Sequence, residues 1–398
     1  MSFTALGLAP ELLRAVAEEG YAHPTPIQQE TIPLALQGRD VIGSAQTGTG
    51  KTAAFMLPIL QRLAPGSPHT LRALVLAPTR ELAAQIAERA SVYGRYLRLR
   101  HTVVYGGVNQ RRQELALREQ PDLVVATPGR LLDLMQQKLI KLDGITHFVV
   151  DEADRMLDMG FLPSVRRIFG ALPAARQVLL FSATMPKAIE GLAEAMLRNP
   201  VRVSIAPAVT TAEGVEQSVM FVARADKRAL LEDVLRDGSV ERALVFTRTK
   251  HGANRLSQQL DRAGIATQAI HGDKSQSARE NALAAFRHGT ARVLVATDVA
   301  ARGIDVDGVS HVINFDLPNV AESYVHRIGR TGRAGALGRA ISFCDHEERA
   351  LLTDIERFIR RRLPVSGGQD PRSAPPPAKH ARRPQAATAM PRASRSAK

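Results

Sequence analysis

The chain of 398 residues holds one cysteine, Cys344. That excludes an internal disulfide framework and suits a reducing compartment, with the thiol acting as a small buried hydrophobe. No apolar run approaches the roughly 18 residues that a membrane helix needs. The first twenty residues lack a basic stretch and carry Glu11, Glu18 and Glu19, unlike a secretory leader, so a soluble cytoplasmic protein is expected. Lysine is scarce, nine of 53 basic residues, the rest being arginine. The net charge of +14 points to a polyanionic partner, nucleic acid being the simplest, although codon usage alone could produce such an arginine excess. The histidines show no metal-ligand spacing with the lone cysteine, which argues against a zinc site.

Apolar residues make up 44% of the chain, enough for cores, and the length suits two domains. Short runs of continuous hydrophobicity predict strands at 40–43, 73–77, 102–105, 123–126, 147–150 and 178–181, then at 243–247, 267–270, 293–296, 311–314 and 340–343. Such runs fit parallel strands covered on both faces by crossover helices. Helical patterns lie between them, as at 80–97, where Leu82, Ile86 and Tyr93 share a face. Pro10, Glu11 and Gly20 bracket a short N-terminal helix. The small, polar stretch 206–214 reads as a linker between an N-terminal domain, 1–205, and a C-terminal one, 215–365. From 366 to 398 seven Lys/Arg face one Asp beside three consecutive prolines, which predicts a disordered basic tail.

Chemistry concentrates first in Ala45-Gln46-Thr47-Gly48-Thr49-Gly50-Lys51-Thr52, after a predicted strand and before a helix. Gly48 and Gly50 let backbone N–H groups turn onto phosphate oxygens at a helix N-terminus. Lys51 can reach the β- and γ-phosphates, and the Thr52 hydroxyl can ligate Mg²⁺. Ala45 stands where the usual loop pattern begins with glycine. A second cluster, Asp151-Glu152-Ala153-Asp154, follows the strand at 147–150, at the carboxyl end of a parallel sheet where ligands bind. Asp151 suits the metal, and Glu152 suits orienting and deprotonating water.

These letters, with the following Arg155-Met-Leu-Asp-Met-Gly-Phe161, resemble the hallmark of DEAD-box ATP-dependent RNA helicases, whose ATP loop also begins with alanine. The resemblance runs from Phe3 to about Arg362 and is strongest to the bacterial RhlE-type subgroup. It implies α/β architecture: two RecA-like domains, each a mainly parallel sheet flanked by helices, with ATP, Mg²⁺ and RNA bound across their cleft. Gln28 resembles the family's adenine-reading glutamine and Phe3 the aromatic that stacks on the base. Ser182 and Thr184, with Asp154, resemble the elements coupling nucleotide state to strand separation. In the second half Arg330 and Arg333 resemble arginine fingers reaching the γ-phosphate. Asp305 resembles a ribose carboxylate, Arg302 a residue at the ATP–RNA junction and His326 a link between the domains.

Arg80, Gly107, Thr127 and Arg130 in the first half, and Thr247, Arg248, Gln276, Arg279 and Thr297 in the second, form a candidate RNA track. None is an aromatic base-stacker, so the chemistry favours sugar and phosphate over base sequence. The resemblance implies RNA-stimulated ATP hydrolysis coupled to domain closure, with local duplex unwinding or RNP remodelling. Two alternatives stand beside it: an ATP-gated RNA clamp with slow turnover, and a DNA helicase. Ribosome assembly, mRNA decay and cold adaptation are all open as pathways.

Overall fold

The computed structural model describes residues 2–45, 48–65, 70–205, 214–298, 308–332 and 337–367. Seven strands make the first sheet: β1 (Val41–Ser44), β2 (Ala73–Leu76), β3 (His101–Val104), β4 (Leu123–Ala126), β5 (His147–Val150), β6 (Gln177–Ser182) and β7 (Val201–Ser204). Seven more make the second: β8 (Val215–Phe221), β9 (Ala243–Phe246), β10 (Thr267–Ile270), β11 (Val293–Ala296), β12 (His311–Asn314), β13 (Gly338–Cys344) and β14 (Val365–Gly367).

The spatial orders are β3-β4-β2-β5-β6-β1-β7 and β10-β11-β9-β12-β13-β8-β14, the same order shifted by seven. Every pairing is parallel. Two copies of one topology thus stand in series, each an α/β unit with helices between its strands. Sequence periodicity does not reveal the repetition, because what the units share is strand order.

Alternation within strands sends side chains into two helix-covered layers. In the first unit Val41, Val75, Val149 and Phe181 pack on one side with Phe55, Ile59 and Ile86. Ile42, Leu74, Leu76, Phe148 and Leu180 pack on the other with Leu131, Met156 and Ile189. Each fully buried side chain contributes about 1.5–3 kcal/mol of hydrophobic stabilisation. The central strands are buried along their whole length, which is why their sequences read as unbroken apolar runs.

Several strands escape that pattern, β7 and β8 among them. β7 is an edge strand with a single buried residue, and β8 carries three consecutive polar residues, Glu216, Gln217 and Ser218, between apolar ones. The sheet also runs to Gly367, so β14 takes the first two residues that composition assigns to the tail; residues 368–398 lie outside the described residues, as do 206–213 of the linker stretch. The expected helix at 80–97 ends earlier, at Tyr93 before Gly94.

Candidate active site and nucleic-acid interface

The loop after β1 delivers its helix at Lys51, Lys51–Leu63. Gly48 and Gly50 take φ of +86° and +90°, conformations L side chains resist. A Cβ on Gly50 would also run into the side-chain amide of Gln28. Lys51 is buried, its Nζ donating to the Ala45 carbonyl at 2.8 Å, while Ala45 N donates to Ser182 O at 3.1 Å. Ala45 therefore serves through its backbone, which tolerates the missing glycine. Gln46 and Thr47 lie outside the described residues.

Gln28 sits in the first turn of the helix Pro26–Leu36, whose capping box it closes by accepting from Thr25 N at 3.0 Å. Its Nε2 donates to Gly50 O at 3.1 Å. One amide hydrogen and one lone pair remain for a donor–acceptor base edge. Phe3 is only 6% exposed, its ring stacked on Tyr21 at 6.4 Å, so its place is in the core.

The acids follow β5. Burial pushes the Asp151 carboxyl up to about 7, opposed by the nearby Lys51 ammonium and aided by the Glu152 charge. Asp151 Oδ1 accepts from Glu152 N at 2.9 Å, and Glu152 takes a left-handed φ of +51° that turns the chain into the helix Ala153–Asp158. Arg155 holds Glu152 at 3.2 Å. Asp154 Oδ2 accepts from Ala183 N, Thr184 N and Thr184 Oγ1 at 3.1, 2.8 and 3.0 Å. Ser182 Oγ accepts from Asp154 N at 3.1 Å and donates to Thr184 O at 2.7 Å. The two motifs are thus one hydrogen-bonded unit.

Among the described residues no group of three or more His, Cys, Asp or Glu could encage a metal ion. A single buried carboxylate, Asp151, with the Lys51 ammonium nearby, fits instead an ion sharing its shell with water and phosphate oxygens, as Mg²⁺ does.

Across the cleft stands the helix Ala321–Ile328. Glu322, His326 and Arg330 from this second unit line a cavity of about 520 Å³ together with Glu152, Asp154, Arg155 and Thr184 from the first. Arg330 Nε donates to His326 O at 3.3 Å. Arg327 anchors the helix: it grips Asp298 at 2.5 and 2.8 Å, reaches Asn314 Oδ1 at 3.0 Å and Asp316 O at 2.7 Å, and lies over Phe246. Arg302, Asp305 and Arg333 lie outside the described residues.

The candidate RNA residues cluster at the carboxyl ends of strands. Arg80 opens the helix Arg80–Tyr93 and lies against Gly107, where an added Cβ would collide with its guanidinium. Thr127 precedes the helix Pro128–Gln136 and Arg130 pairs with Asp133 at 3.7 Å. Thr247 is buried after β9; Arg248 pairs with Glu348 at 2.6 Å; Thr297 follows β11 with its N donating to Ile270 O. Gln276 and Arg279 reach from the second unit to Glu81 of the first, at 3.3 and 3.0 Å.

Sequence reasoning missed Glu81, Arg155 and Arg327. A carboxylate within the run Pro78-Thr-Arg80-Glu-Leu82, amid basic and neutral contacts, is the signal that could have found Glu81.

Residues 25–192 match the family model "DEAD/DEAH box helicase", and 226–335 match "Helicase conserved C-terminal domain". The DEAD-box ATP-dependent RNA helicase CshA of Bacillus subtilis (strain 168) is 44% identical over 363 residues, 91% of this chain and 73% of that protein. The protein of the same name from Bacillus cereus is 45% identical over 91% of this chain and 69% of its own. Among solved structures, Saccharomyces cerevisiae Dbp5 bound to RNA and ADP BeF3 is 34% identical with a TM-score of 0.82, covering 92% of this chain and 95% of that one. A DEAD box protein of Methanococcus jannaschii is 38% identical over 92% and 99%, with a TM-score of 0.55. This chain belongs to the DEAD-box ATP-dependent RNA helicases.

Proposed function

We propose that this chain couples RNA-stimulated ATP hydrolysis to closure of its two units and to local separation of RNA strands, working non-processively on duplexes or RNPs. The observation that carries this is the shared cavity: Glu152 of the first unit and Arg330 of the second line one cleft, so neither unit alone owns a complete site. The reading assigns residues 1–205 and 215–365 to the two domains, joined through 206–214.

ATP would lie on the Gly48–Thr52 segment with its base at Gln28. Lys51 holds the β- and γ-phosphates, Glu152 orients and deprotonates water, and Arg330 with Arg333 meets charge developing on the transferred phosphoryl. Thr52 and Asp151 would hold Mg²⁺, which supplies charge neutralisation on the phosphates when bound. RNA would cross Arg80, Gly107, Thr127 and Arg130, then Thr247, Arg248, Gln276, Arg279 and Thr297. A strand bent to touch both sets cannot keep regular duplex geometry.

The absence, among the described residues, of a helix long and apolar enough to cross a membrane supports a cytoplasmic location. The basic composition after Gly367 favours an RhlE-type subgroup, whereas the relatives described above carry the CshA name.

The test compares ATP turnover with RNA and with DNA of one sequence, and duplex release with ATP and with a non-hydrolysable analogue. RNA alone should stimulate, and multiple-turnover release should need ATP. Glu152→Gln should retain ATP-dependent RNA binding while losing about 10²–10⁴-fold in turnover. Wild-type turnover in that variant overturns the assignment, and equal stimulation by DNA overturns the substrate class.

A further inference from the structure

Behind the RNA-facing edge of the second unit lies a buried charge cluster that none of the roles above uses. Lys227 opens the helix Lys227–Arg236 yet is 1% exposed. Its ammonium contacts Glu348 Oε2 at 2.5 Å and Asp345 Oδ2 at 3.4 Å, and donates to Phe315 O at 3.0 Å. A desolvated lysine persists only with such compensation. The other oxygen of Glu348 faces outward: Oε1 accepts from Arg248 Nη2 at 2.6 Å and from Leu317 N at 3.1 Å. Glu348 is 3% exposed, whereas the Arg248 side chain is 40% exposed.

The three residues after β12 each join this cluster. Phe315 offers its carbonyl to Lys227, Asp316 accepts from Arg248 N at 2.9 Å through Oδ2, and Leu317 donates to Glu348. The Asp316 carbonyl in turn accepts from Arg327, on the helix that carries His326 and leads to Arg330. One segment, 315–317, is therefore pinned from the Arg248 side and from the ATP-facing helix.

We propose that Glu348 is a positioning residue: held by Lys227, it fixes the Arg248 guanidinium for an RNA phosphate and ties it, through residues 315–317, to the helix facing the ATP cleft. This rests on the reading of Arg248 as an RNA contact. Arginine has five donors in a rigid fork, so the bond to Glu348 orients the group while leaving others for phosphate.

The experiment uses the full chain, with a polyuridine single strand as probe, and measures the RNA concentration giving half-maximal ATP turnover across a salt series. Glu348→Gln, Glu348→Asp and Arg248→Gln should each raise that concentration about tenfold, the scale of one charge-assisted hydrogen bond. Each should also flatten the slope of log affinity against log salt by about 0.7, one single-strand phosphate contact. A general loss of packing would not move that slope. Glu348→Asp keeps the charge that Lys227 needs while withdrawing from Arg248, so it carries the test if the glutamine variant fails to fold.

The Glu348→Gln/Arg248→Gln double variant should be no worse than Arg248→Gln alone. An additive loss of about a hundredfold would mean that Glu348 acts elsewhere, and overturns the proposal. Tighter RNA binding in Glu348→Gln, or an unchanged half-maximal concentration in both Glu348 variants, overturns it while leaving Arg248 as an RNA contact. If Arg248→Gln changes nothing, the RNA role of Arg248 falls, and the proposal falls with it.

Discussion

Lys51 is a buried cation whose ammonium rests 2.8 Å from a neutral carbonyl, Ala45 O. The nearby Asp151 carboxyl also acts on it, and an incoming phosphate is a far stronger hydrogen-bond partner than the carbonyl. Lys51→Ala should lower ATP turnover by at least about 10², the scale of deleting one charge-stabilising donor, with little change in melting temperature. Near-normal turnover would remove Lys51 from the phosphate site. His147 makes a different kind of prediction. Burial, reinforced by Arg62 and Arg72, pulls its imidazole down to about 4. Arg62 Nε donates to its Nε2 at 3.0 Å, so the neutral ring carries its proton on Nδ1, against Thr146 Oγ1 at 2.9 Å. The unfolded chain binds a proton near 6.5 that the folded chain refuses, so the contribution is present above about pH 6.5 and is lost as pH falls toward 4. Its full size is on the order of 3 kcal/mol. His147→Gln should flatten melting temperature against pH between 6.5 and 4; an unchanged profile would show that other groups dominate. Residues of both kinds differ in legibility. Lys51 and Asp151 can be nominated from sequence because phosphate and metal chemistry restrict the side chains that serve. Phe3 is not, since an aromatic beside the core and one beside a base look alike in sequence, and Glu81 needs the second unit in place to acquire its partners.

A dense local join between elements lies between the end of β6 and the helix Ala153–Asp158, where Asp154 Oδ2 gathers two backbone N–H groups and a hydroxyl. Hydrogen bonds to a charged acceptor contribute about 1.5–3 kcal/mol each, so this carboxylate holds the Ser182–Thr184 segment in one place relative to Glu152. Asp154→Asn turns part of that acceptor into a donor facing donors. Duplex release should fall on the order of tenfold or more while RNA-stimulated ATP turnover changes much less. Parallel loss of both would mean that the join serves chemistry rather than coupling. Strands of this interior are legible for a simple reason: both faces are covered, so every residue is apolar, as in β2 and β4. β7 and β8 are not, because an edge position or a polar interior partner breaks the run. Gln217 of β8, for example, accepts from the buried Tyr324 hydroxyl at 3.0 Å. Loops suffer most: Gly50, at the entry to the helix Lys51–Leu63, is held by a hydrogen bond from Gln28, more than twenty residues away.

At the scale of the whole molecule, a contact between the units beside the proposed RNA track depends on a carboxylate. Glu81 is 4% exposed at its side chain and meets Arg279 at 3.0 Å and Gln276 at 3.3 Å. Burial draws the Arg279 guanidinium below its ordinary range, with Glu81 opposing that shift, so the pair is desolvated together when the cleft is shut. When the units part, water solvates both partners, and the contact stabilises the closed form by only the difference. A coupling of about 1–3 kcal/mol, five- to 150-fold, is the scale for such a shift. Closure is also where ATP and RNA meet, since the cavity shared by Glu152 and Arg330 exists only with the units together. Linkage then requires that one substitution weaken both ligands: Glu81→Gln should raise the half-saturating concentrations of ATP and RNA by similar factors, leave RNA-free nucleotide affinity unchanged, and leave the melting temperature intact. On the proposed RNA track Arg279 contacts RNA as well, so for Arg279→Gln the RNA effect should exceed the ATP effect. Small-angle scattering with RNA and a non-hydrolysable ATP analogue reads the same equilibrium directly: the wild-type chain should compact, and Glu81→Gln should need more ligand to do so. If Glu81→Gln raises the half-saturating concentration of RNA alone and compacts like wild type, Glu81 orders the RNA surface without holding the two units together.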